Sequence, residues 1–428
     1  MDEELAGDYS QLPEMKKRLY VCEADSGGIM EYAIRQSAAI AREGVEVYFL
    51  CKDSFPKERL GAGIKVWESN KSRGPSDQRR GLVGKIFCVW RMMADLRSEA
   101  KQVYQLAEEL AKDSSTRNSL PFTRHNLGEA EVAVLFACYK EYFAPFWVGP
   151  LRSLARRGAV IGTIAHDPVR DFVVGPLWWH RWSVRLGYSF VQHVFVHDDT
   201  PVDFGGKRPE GIEVHHIPFG AYPLCPPRVA REEVRNRFGF AHSDIVFFAF
   251  GQIRDGKNLD LFLRAMTKLP ENVKLLVAGK GHSGSSKPPE FYQNLARELG
   301  VAERCRFEIR RVPDEEVGEL FNAIDFTLLT YSAKFRSMSA VLASALTARK
   351  PVLASSGLGP LKTMVEKYEL GVFVKPDDPE EILRGATKLV PSSATGKCEF
   401  ELQPAWDKYE QENSWGENAR RVCQAFES

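Results

Sequence analysis

The fold of this chain is decided by residues 325–374, which read DFTLLTYSAKFRSMSAVLASALTARKPVLASSGLGPLKTMVEKYELGVFV. The apolar run Phe326–Leu329 is short and rich in β-forming residues, so it predicts a buried strand. A polar loop follows, and the small-residue segment Ser337–Thr347 fits a helix. A second strand is predicted to begin at Pro351–Ala354. Strand, loop, helix and strand in this order is the unit on which parallel-sheet proteins hold phosphate-bearing ligands.

The start of that helix is the first candidate binding site. Ser337 and Ser339 would lie where backbone N–H groups have no partner within the helix. The positive end of the helix dipole lies at the same place and favours an anion. The alternative is an N-capped core helix that binds nothing, and this segment taken alone favours that alternative.

Length and composition restrict the possible functions. A chain of 428 residues is too long for one core and predicts two domains. The net charge of +1 gives no general case for nucleic-acid binding. Eight cysteines without a CxxC pair do not support a zinc or redox motif. Those in apolar runs, Cys22, Cys51 and Cys138, are expected to be buried free thiols.

The N-terminal residues are polar and acidic and lack the apolar region of a secretion signal. No apolar run approaches the length of a membrane-spanning helix. We therefore expect a cytoplasmic chain, which leaves open a peripheral attachment at the inner face of the membrane.

The first half of the chain begins as a βαβ unit. Arg18–Ala24 predicts a strand, Gly27 and Gly28 a tight turn, and Ile29–Glu43 an amphipathic helix. The turn lacks a full GxGxxG motif, so it is not a clear dinucleotide-binding motif. The two glycines could let a ligand approach the end of the strand closely, and the alternative is a tight turn without a binding role. Further elements are predicted from the same patterns: strands at Val45–Leu50, Val132–Ala137, Ala159–Ala165, Val194–His197 and Val214–Ile217, and a helix at Phe143–Arg157.

A candidate catalytic pair follows one of these strands. His166 and Asp167 come directly after Ala159–Ala165. They would therefore lie at the carboxyl edge of the sheet, where α/β proteins form their active sites. The alternative is a capping pair that only closes the strand.

Two segments of the first half suit a membrane surface. Residues 178–182 read WWHRW, and indole rings prefer the border between apolar and wet regions. Residues 69–101 mix apolar residues with Arg79, Arg80, Lys85, Arg91 and Arg97, as in a basic amphipathic helix on anionic lipid. A helix that packs on the sheet with its cations in water is the alternative for the second segment.

A Pro- and Gly-rich linker at 218–227 leads into a second alternation of strands and helices. After the strand Ile245–Phe250, one glycine-containing loop carries Arg254 and Lys257 ahead of a helix that begins near Leu259. An arginine fork and a lysine point charge can together bind a diphosphate. A solvated charged loop is the alternative. The next strand, Val273–Ala278, ends in Gly279, Lys280 and Gly281.

On these motifs the chain resembles glycosyltransferase family 4, whose members have the GT-B fold, and it is most similar to the exopolysaccharide and surface-glycan branches. The matching segments are FGQIRDGKN (250–258), LLVAGKG (275–281), ARKPVLAS (348–355) and GVFVKPDDPEEI (371–382), with looser matches at SGGIMEYA (26–33) and IPFGAY (217–222). The resemblance implies an α/β protein with two Rossmann-like, doubly wound domains that face each other across a cleft. The implied division is a disordered tail (1–15), an acceptor domain (16–222), a nucleotide-sugar domain (223–398) and terminal helices that cross back to the first domain (399–428).

The resemblance also implies roles for individual residues. His166 and Asp167 take the catalytic positions, and Gly27 and Gly28 form the loop that approaches the phosphate and the acceptor. The remaining implied contacts are to the donor: Arg254, Lys257, Arg336, Ser337, Met338 and Ser339 to its diphosphate, and Gly251, Gly279, Lys280, Gly281 and Ser344 to its nucleotide.

The chain departs from the family at one pair of positions. The paired glutamates, eight positions apart, fall on Arg336 and Ser344, neither of which is acidic. Two hypotheses therefore stay open. One is a hexosyltransferase that moves a sugar from a nucleotide diphosphate-sugar to a hydroxyl of a glycan, lipid-linked or other acceptor. It would need no cofactor and no metal, because Arg254, Lys257 and helix dipoles would neutralise the leaving diphosphate. The other is a catalytically inactive GT-B protein that serves as a scaffold in glycan assembly.

Overall fold

The computed structural model describes residues 16–69, 82–115, 132–138, 141–170, 173–281, 287–390 and 404–428. The predicted tail at 1–15, together with Arg79 and Arg80 of the basic segment, lies outside the described residues, and so does the side chain of Lys85. No helix in the part of the chain that is described is both long and apolar enough to cross a membrane.

Seven parallel strands form the first sheet. Helices cover both faces of a parallel sheet, so its strands are apolar on both sides, which fits the apolar runs between helical segments in this sequence. The strands are β1 (Lys17–Cys22), β2 (Glu46–Lys52), β3 (Lys65–Ser69), β4 (Val132–Phe136), β5 (Val160–Ile164), β6 (His193–Val196) and β7 (Glu213–His216). They lie in the order β3-β2-β1-β4-β5-β6-β7. The helices of this lobe are α1 (Gly27–Arg42), α2 (Leu82–Ser115), α3 (Ala144–Arg156) and α4 (Leu177–Gly187).

Six parallel strands form the second sheet: β8 (Ile245–Phe250), β9 (Val273–Ala278), β10 (Cys305–Glu308), β11 (Phe326–Thr330), β12 (Val352–Ser355) and β13 (Gly371–Phe373). They lie in the order β10-β9-β8-β11-β12-β13. The helices of this half are α5 (Arg231–Arg237), α6 (Leu259–Met266), α7 (Pro289–Glu298), α8 (Asp314–Ala323), α9 (Ala340–Thr347), α10 (Pro360–Lys367) and α11 (Pro379–Leu389), and they are followed by α12 (Trp406–Glu412) and α13 (Trp415–Ala425).

The two sheets confirm the predicted α/β class with two doubly wound lobes. In each sheet the strand order reverses at one point, between β1 and β4 in the first and between β8 and β11 in the second. Parallel sheets bind ligands in the crevice beyond the carboxyl ends of the strands at such a reversal. The loops that follow β8 and β11 therefore border the binding crevice of the second lobe.

The predicted start of α9 is wrong by three residues, since the helix begins at Ala340 and not at Ser337. Ser339 has an extended backbone, and its Oγ accepts a hydrogen bond from the amide of Leu342. A serine in this conformation is a strong N-cap, so residues 337–338 remain in the loop before it.

The core lies on both faces of each sheet, and one cluster continues across both lobes. Cys22 and Cys51 are buried free thiols, as predicted, whereas Cys138 is only half-buried because it follows the end of β4.

A buried network of polar side chains connects the last helix, α13, to the first lobe. Asn418 of α13 donates from Nδ2 to the hydroxyl of Tyr32 at 3.0 Å and to the carbonyl of Pro218 at 2.7 Å. Its Oδ1 accepts from Gln36 of α1 at 2.8 Å. All hydrogen-bonding groups in this network are buried, so losing one partner would leave the others unsatisfied.

Candidate functional site

Two helix N-termini meet in the cleft between the lobes. A Cβ added to Gly28, in the first turn of α1, would stand 2.8 Å from the Cβ of Ala340, the first residue of α9. The hydroxyl of Tyr222 holds this loop by donating to the carbonyl of Gly28 at 2.9 Å. The described first turns of both helices contain no acidic side chain. The positive dipole ends of α1 and α9 therefore converge without an acidic side chain in either first turn.

The loop after β8 brings Arg254 and Lys257 together beside these helix ends. Both side chains line a small pocket with Gly251 and several apolar residues. A Cβ on Gly251 would stand 3.5 Å from the Lys257 Nζ and 3.8 Å from a methyl group of Val341, the second residue of α9. The cation pair and the start of α9 thus lie on the same side of the crevice, and their binding of a diphosphate stays a prediction.

The ammonium of Lys257 is held in a poorly solvated position. Its Nζ donates to the backbone carbonyl of Phe250, although the residue as a whole is only partly buried. Burial of this group, assisted by the positive charge of Arg254, lowers the pKa of Lys257 to about 7. A buried cation is stabilised by an anion, so this site favours a negatively charged ligand.

The loop after β9 packs directly against the loop after β8. The amide of Ile253 donates to the carbonyl of Lys280 at 3.0 Å, and Ile253 forms an isolated parallel bridge with Gly281. Gly279 has φ +151°, and a Cβ there would stand 2.1 Å from the carbonyl oxygen of Gly251. Only glycine fits this approach, so Gly251, Gly279 and Gly281 lie together with Lys280 exposed beside them, and their contact with a nucleotide stays a prediction.

Asp377 joins the two loops that border the crevice; it lies in the matching segment GVFVKPDDPEEI, but no role was predicted for it. Its carboxylate accepts from Asn258 Nδ2 at 2.8 Å and from the amide of Ala333 at 2.9 Å. Asp377 and Asn258 both have left-handed backbones, with φ of 60° and 49°, a conformation that Asp and Asn adopt more readily than most residues. The only sequence signal was a polar PDD turn after an apolar run.

The first lobe places two histidines side by side at the carboxyl edge of its sheet. His166 follows β5 and His197 follows the neighbouring strand β6, and their ring nitrogens Nδ1 and Nε2 lie 3.4 Å apart. The His197 Nδ1 lies 3.2 Å from the carbonyl oxygen of Ile217. The edge of the Tyr32 ring closes the group, with its centroid 4.6 Å from that of His166.

These contacts determine the protonation of both rings. Burial, assisted by the neighbouring His197, lowers the pKa of His166 to about 3, and the Ala137 carbonyl opposes the shift. Burial also lowers the pKa of His197 to about 4. A carbonyl oxygen can only accept, so neutral His197 must carry its proton on Nδ1 and accept at Nε2. His166 then donates from Nδ1, and its buried Nε2 is an acceptor without a hydrogen-bond partner among the described residues.

Other predicted site residues are placed away from this group or use their side chains differently. Asp167 is exposed and forms an ion pair with Arg170 at 3.8 Å. Ser339 uses its hydroxyl for the N-cap and for a 3.0 Å contact with the Tyr331 hydroxyl. Ser344 donates to the carbonyl of Ala340 at 3.4 Å. The remaining loop positions differ in exposure: Met338 is buried in the core, Ser337 is half-buried and Arg336 is exposed. The ligand contacts proposed for these residues stay predictions.

Comparison with known proteins identifies the family. A model of the family described as glycosyl transferases group 1 matches residues 230–422. The D-inositol 3-phosphate glycosyltransferase of Xylanimonas cellulosilytica is 30% identical over 372 residues, which cover 83% of this chain and 81% of that protein. The chain belongs to the group 1 glycosyltransferases. This membership confirms the resemblance found in the sequence.

Two further matches of this group 1 glycosyltransferase are shorter or more distant. The protein of the same name from Corynebacterium efficiens is 33% identical over 156 residues, and the match spans 35% of that protein's length. The crystal structure of HepE from Anabaena in complex with UDP and glucose superposes with a TM-score of 0.64 at 15% identity. That comparison covers 96% of this chain and 99% of HepE, which confirms the GT-B fold.

Proposed function

We propose that this group 1 glycosyltransferase moves a hexose-type sugar from a nucleotide diphosphate-sugar to a hydroxyl of a glycan or lipid-linked acceptor. The observation that carries the proposal is the meeting of four positive groups in one crevice: the N-termini of α1 and α9 and the side chains of Arg254 and Lys257. A diphosphate carries negative charge along its whole length and suits such a set of groups. HepE, which has the same fold, was crystallised in complex with UDP and glucose, and this supports the choice of donor class.

In the proposed reaction the acceptor oxygen forms a bond to the anomeric carbon of the donor sugar. The bond from that carbon to the diphosphate oxygen breaks, and the nucleoside diphosphate leaves with the bonding electrons. The hydroxyl proton passes to the leaving diphosphate or to water. Arg254, Lys257 and the two helix ends would stabilise the negative charge that develops on the diphosphate, since groups fixed before the reaction need no reorganisation.

His166 would bind the donor sugar and not transfer a proton. Its pKa of about 3 keeps the ring neutral at physiological pH, so it holds no second proton to give. The unpartnered Nε2 is an acceptor, and a sugar hydroxyl is the donor that would satisfy it.

The test is donor binding and turnover in variants of the cation pair. UDP-, GDP-, ADP- and TDP-sugars are screened by thermal shift, because a ligand that binds only the folded protein raises its melting temperature. We expect one donor class to stabilise the wild type and to lose its effect in Lys257→Met and Arg254→Met. The matched control is Lys268→Ala, which removes an exposed lysine of the same lobe that pairs with Glu380. Undiminished turnover in Lys257→Met would refute the proposal.

Binding without transfer is the second candidate function. Arg336 is exposed and Ser344 turns its hydroxyl back to its own helix, so neither supplies a carboxylate to the cleft. A scaffold of this kind would bind the nucleotide sugar and leave it intact. Nucleoside diphosphate released from any sugar nucleotide by the purified wild type, and absent with Lys257→Met, would remove this candidate.

A membrane surface is the partner that α4 favours. Trp178 and Trp182 lie one turn apart and are 68% and 47% exposed, and Arg181 and Arg185 are exposed on the same helix. Exposed indoles next to cations suit the headgroup region of an anionic bilayer. Flotation with vesicles that contain phosphatidylserine should carry the wild type and leave Trp178→Ser/Trp182→Ser behind. Equal flotation of both proteins would dismiss this role.

A further inference from the structure

Three potential metal ligands meet on the first sheet, at the edge away from the cleft. His193 begins β6 and Glu213 begins β7, and the two residues are paired in register across the parallel strands. His215 lies two residues after Glu213 and therefore projects from the same face of the sheet. His197 comes four residues after His193 along β6, and at about 3.3 Å per residue the two histidines are roughly 13 Å apart.

The three ligand atoms form a small triangle. Nδ1 of His193 and Nε2 of His215 are 3.0 Å apart, and Oε2 of Glu213 lies 3.4 Å from the second and 3.9 Å from the first. The equidistant point in the plane of the three atoms is about 2.0 Å from each, close to the bond length of Zn²⁺ to imidazole nitrogen and carboxylate oxygen, and an ion drawn out of the plane by a fourth ligand would lie slightly farther away. Tetrahedral zinc ligands are separated by roughly 3.3–3.4 Å, in the middle of the observed range.

We propose that His193, Glu213 and His215 bind a divalent transition-metal ion, Zn²⁺ in the first instance, with water at the fourth position. Two imidazoles and one carboxylate are a ligand set that suits Zn²⁺ and not Mg²⁺ or Ca²⁺, which prefer oxygen. The site is separate from the donor crevice and independent of the proposed transfer reaction.

The protonation of the ligands suits a metal. The 3.0 Å contact between the two ring nitrogens needs a lone pair on one of them, so at least one of the rings is neutral at this position. In the 3.0 Å contact one ring nitrogen donates its proton to the other. On metal binding that proton would move to the other nitrogen of the same ring. The lone pairs of His193 Nδ1 and His215 Nε2 would then both face the ion, and no proton would leave the protein. The charges of Arg18 and Arg208 oppose the ion, and the carboxylate of Glu213 attracts it.

The surroundings place the ion beneath the terminal helix and away from the donor crevice. Phe426, at the end of α13, has its ring 5.2 Å from that of His193, and Phe195 lies 5.4 Å from His215, which gives the site an apolar wall. Glu213 is 60% exposed and leaves a route for the ion from solvent. An ion here would join the edge strand β7 to β6 beneath the terminal helix, and it would stabilise the fold without contacting the donor.

The test uses the full chain after chelator treatment and dialysis. Titration with Zn²⁺ should give one equivalent, and Co²⁺ should produce the intense visible absorption of a tetrahedral site. A hundredfold excess over the dissociation constant should raise the melting temperature by about 3 °C. Glu213→Gln and His215→Ala, both on the edge strand, should weaken binding at least tenfold. His216→Ala is the control, because His216 is the next residue on β7, faces the opposite side and contacts Asp199.

Two results would overturn the proposal. One is the absence of stoichiometric binding by the wild type. The other is equal binding by wild type, Glu213→Gln and His215→Ala, which would place the ion elsewhere. Donor turnover should be the same with and without Zn²⁺, and a requirement for the ion would overturn the structural role assigned to it.

Discussion

Lys257 gives the proposed donor site a pH dependence that can be measured. In the empty protein its pKa is about 7, so about half of the molecules carry a neutral lysine at neutral pH. The diphosphate of a sugar nucleotide would lie close to the ammonium and favour its charged form, which returns the pKa toward or above the ordinary value of 10.5. Binding therefore takes up a proton, and donor affinity must fall as the pH rises above 7.

The size of this effect follows from proton linkage. Between pH 7 and about pH 8.5 the protonated fraction of Lys257 falls from about one half to about 3%. The association constant for the donor should fall about 16-fold over this interval, or about 1.6 kcal/mol, if the bound lysine stays protonated throughout. The diphosphate diester of a sugar nucleotide has no titrating group in this range, so the change belongs to the protein.

Isothermal titration calorimetry with the donor selected by the thermal-shift screen provides the assay. Repeating the titration in buffers of different ionisation enthalpy should give an uptake of about half a proton at pH 7, rising toward one at about pH 8.5. Lys257→Arg keeps a permanent charge and should bind with little pH dependence. An affinity that is flat from pH 7 to about 8.5 in the wild type, or that falls equally in Lys257→Arg, would refute the reasoning.

Three further predictions concern the parts that position the site. Gly28→Ala should force the two lobes apart at the start of α9 and lower kcat/KM at least ~10-fold, whereas Gly149→Ala, with open space around its Cβ, should leave activity unchanged. His197→Phe should remove the partner that orients His166 and raise the donor KM ~10-fold with kcat within about twofold, because His166 is a donor-binding group, and His197→Asn should partly restore it; a lowered kcat at constant KM would contradict this role. Asn418→Ala should lower the free energy of unfolding by about 1–3 kcal/mol in urea denaturation, because buried partners on α1 lose their hydrogen bonds, and an unchanged midpoint would contradict this.

The strands that form the two sheets could be predicted because their signal is local. Ile245–Phe250 is a continuous apolar run and Val273–Ala278 is interrupted only by Lys274, each run is followed by a glycine, and the structure gives both strands the predicted bounds. The edge strands β3 and β10 were not predicted, because their sequences KVWES and CRFE mix charged and apolar residues. An edge strand is half exposed, so it lacks the continuous hydrophobic run of a central one.

Site residues that lie in one loop could be predicted from the sequence. Site residues that come together only when distant segments fold could not. Arg254 and Lys257 lie in one turn, so their proximity could be inferred from the sequence. His197 became a partner of His166 only through the pairing of β5 with β6. The tendency of consecutive strands to lie side by side would have suggested that pair. Asp377 offered no comparable signal, since it meets Asn258 from the far end of the same lobe.

The central claim is that the diphosphate of a sugar nucleotide lies between the N-termini of α1 and α9 and contacts Arg254 and Lys257. A crystal structure of the protein with its donor tests this claim most directly. We predict phosphate oxygens within hydrogen-bond distance, about 2.7–3.2 Å, of the Lys257 Nζ and the Arg254 guanidinium, next to the amides of Ala340 and Val341. A donor bound elsewhere, or both side chains turned away from its phosphates, would contradict the account.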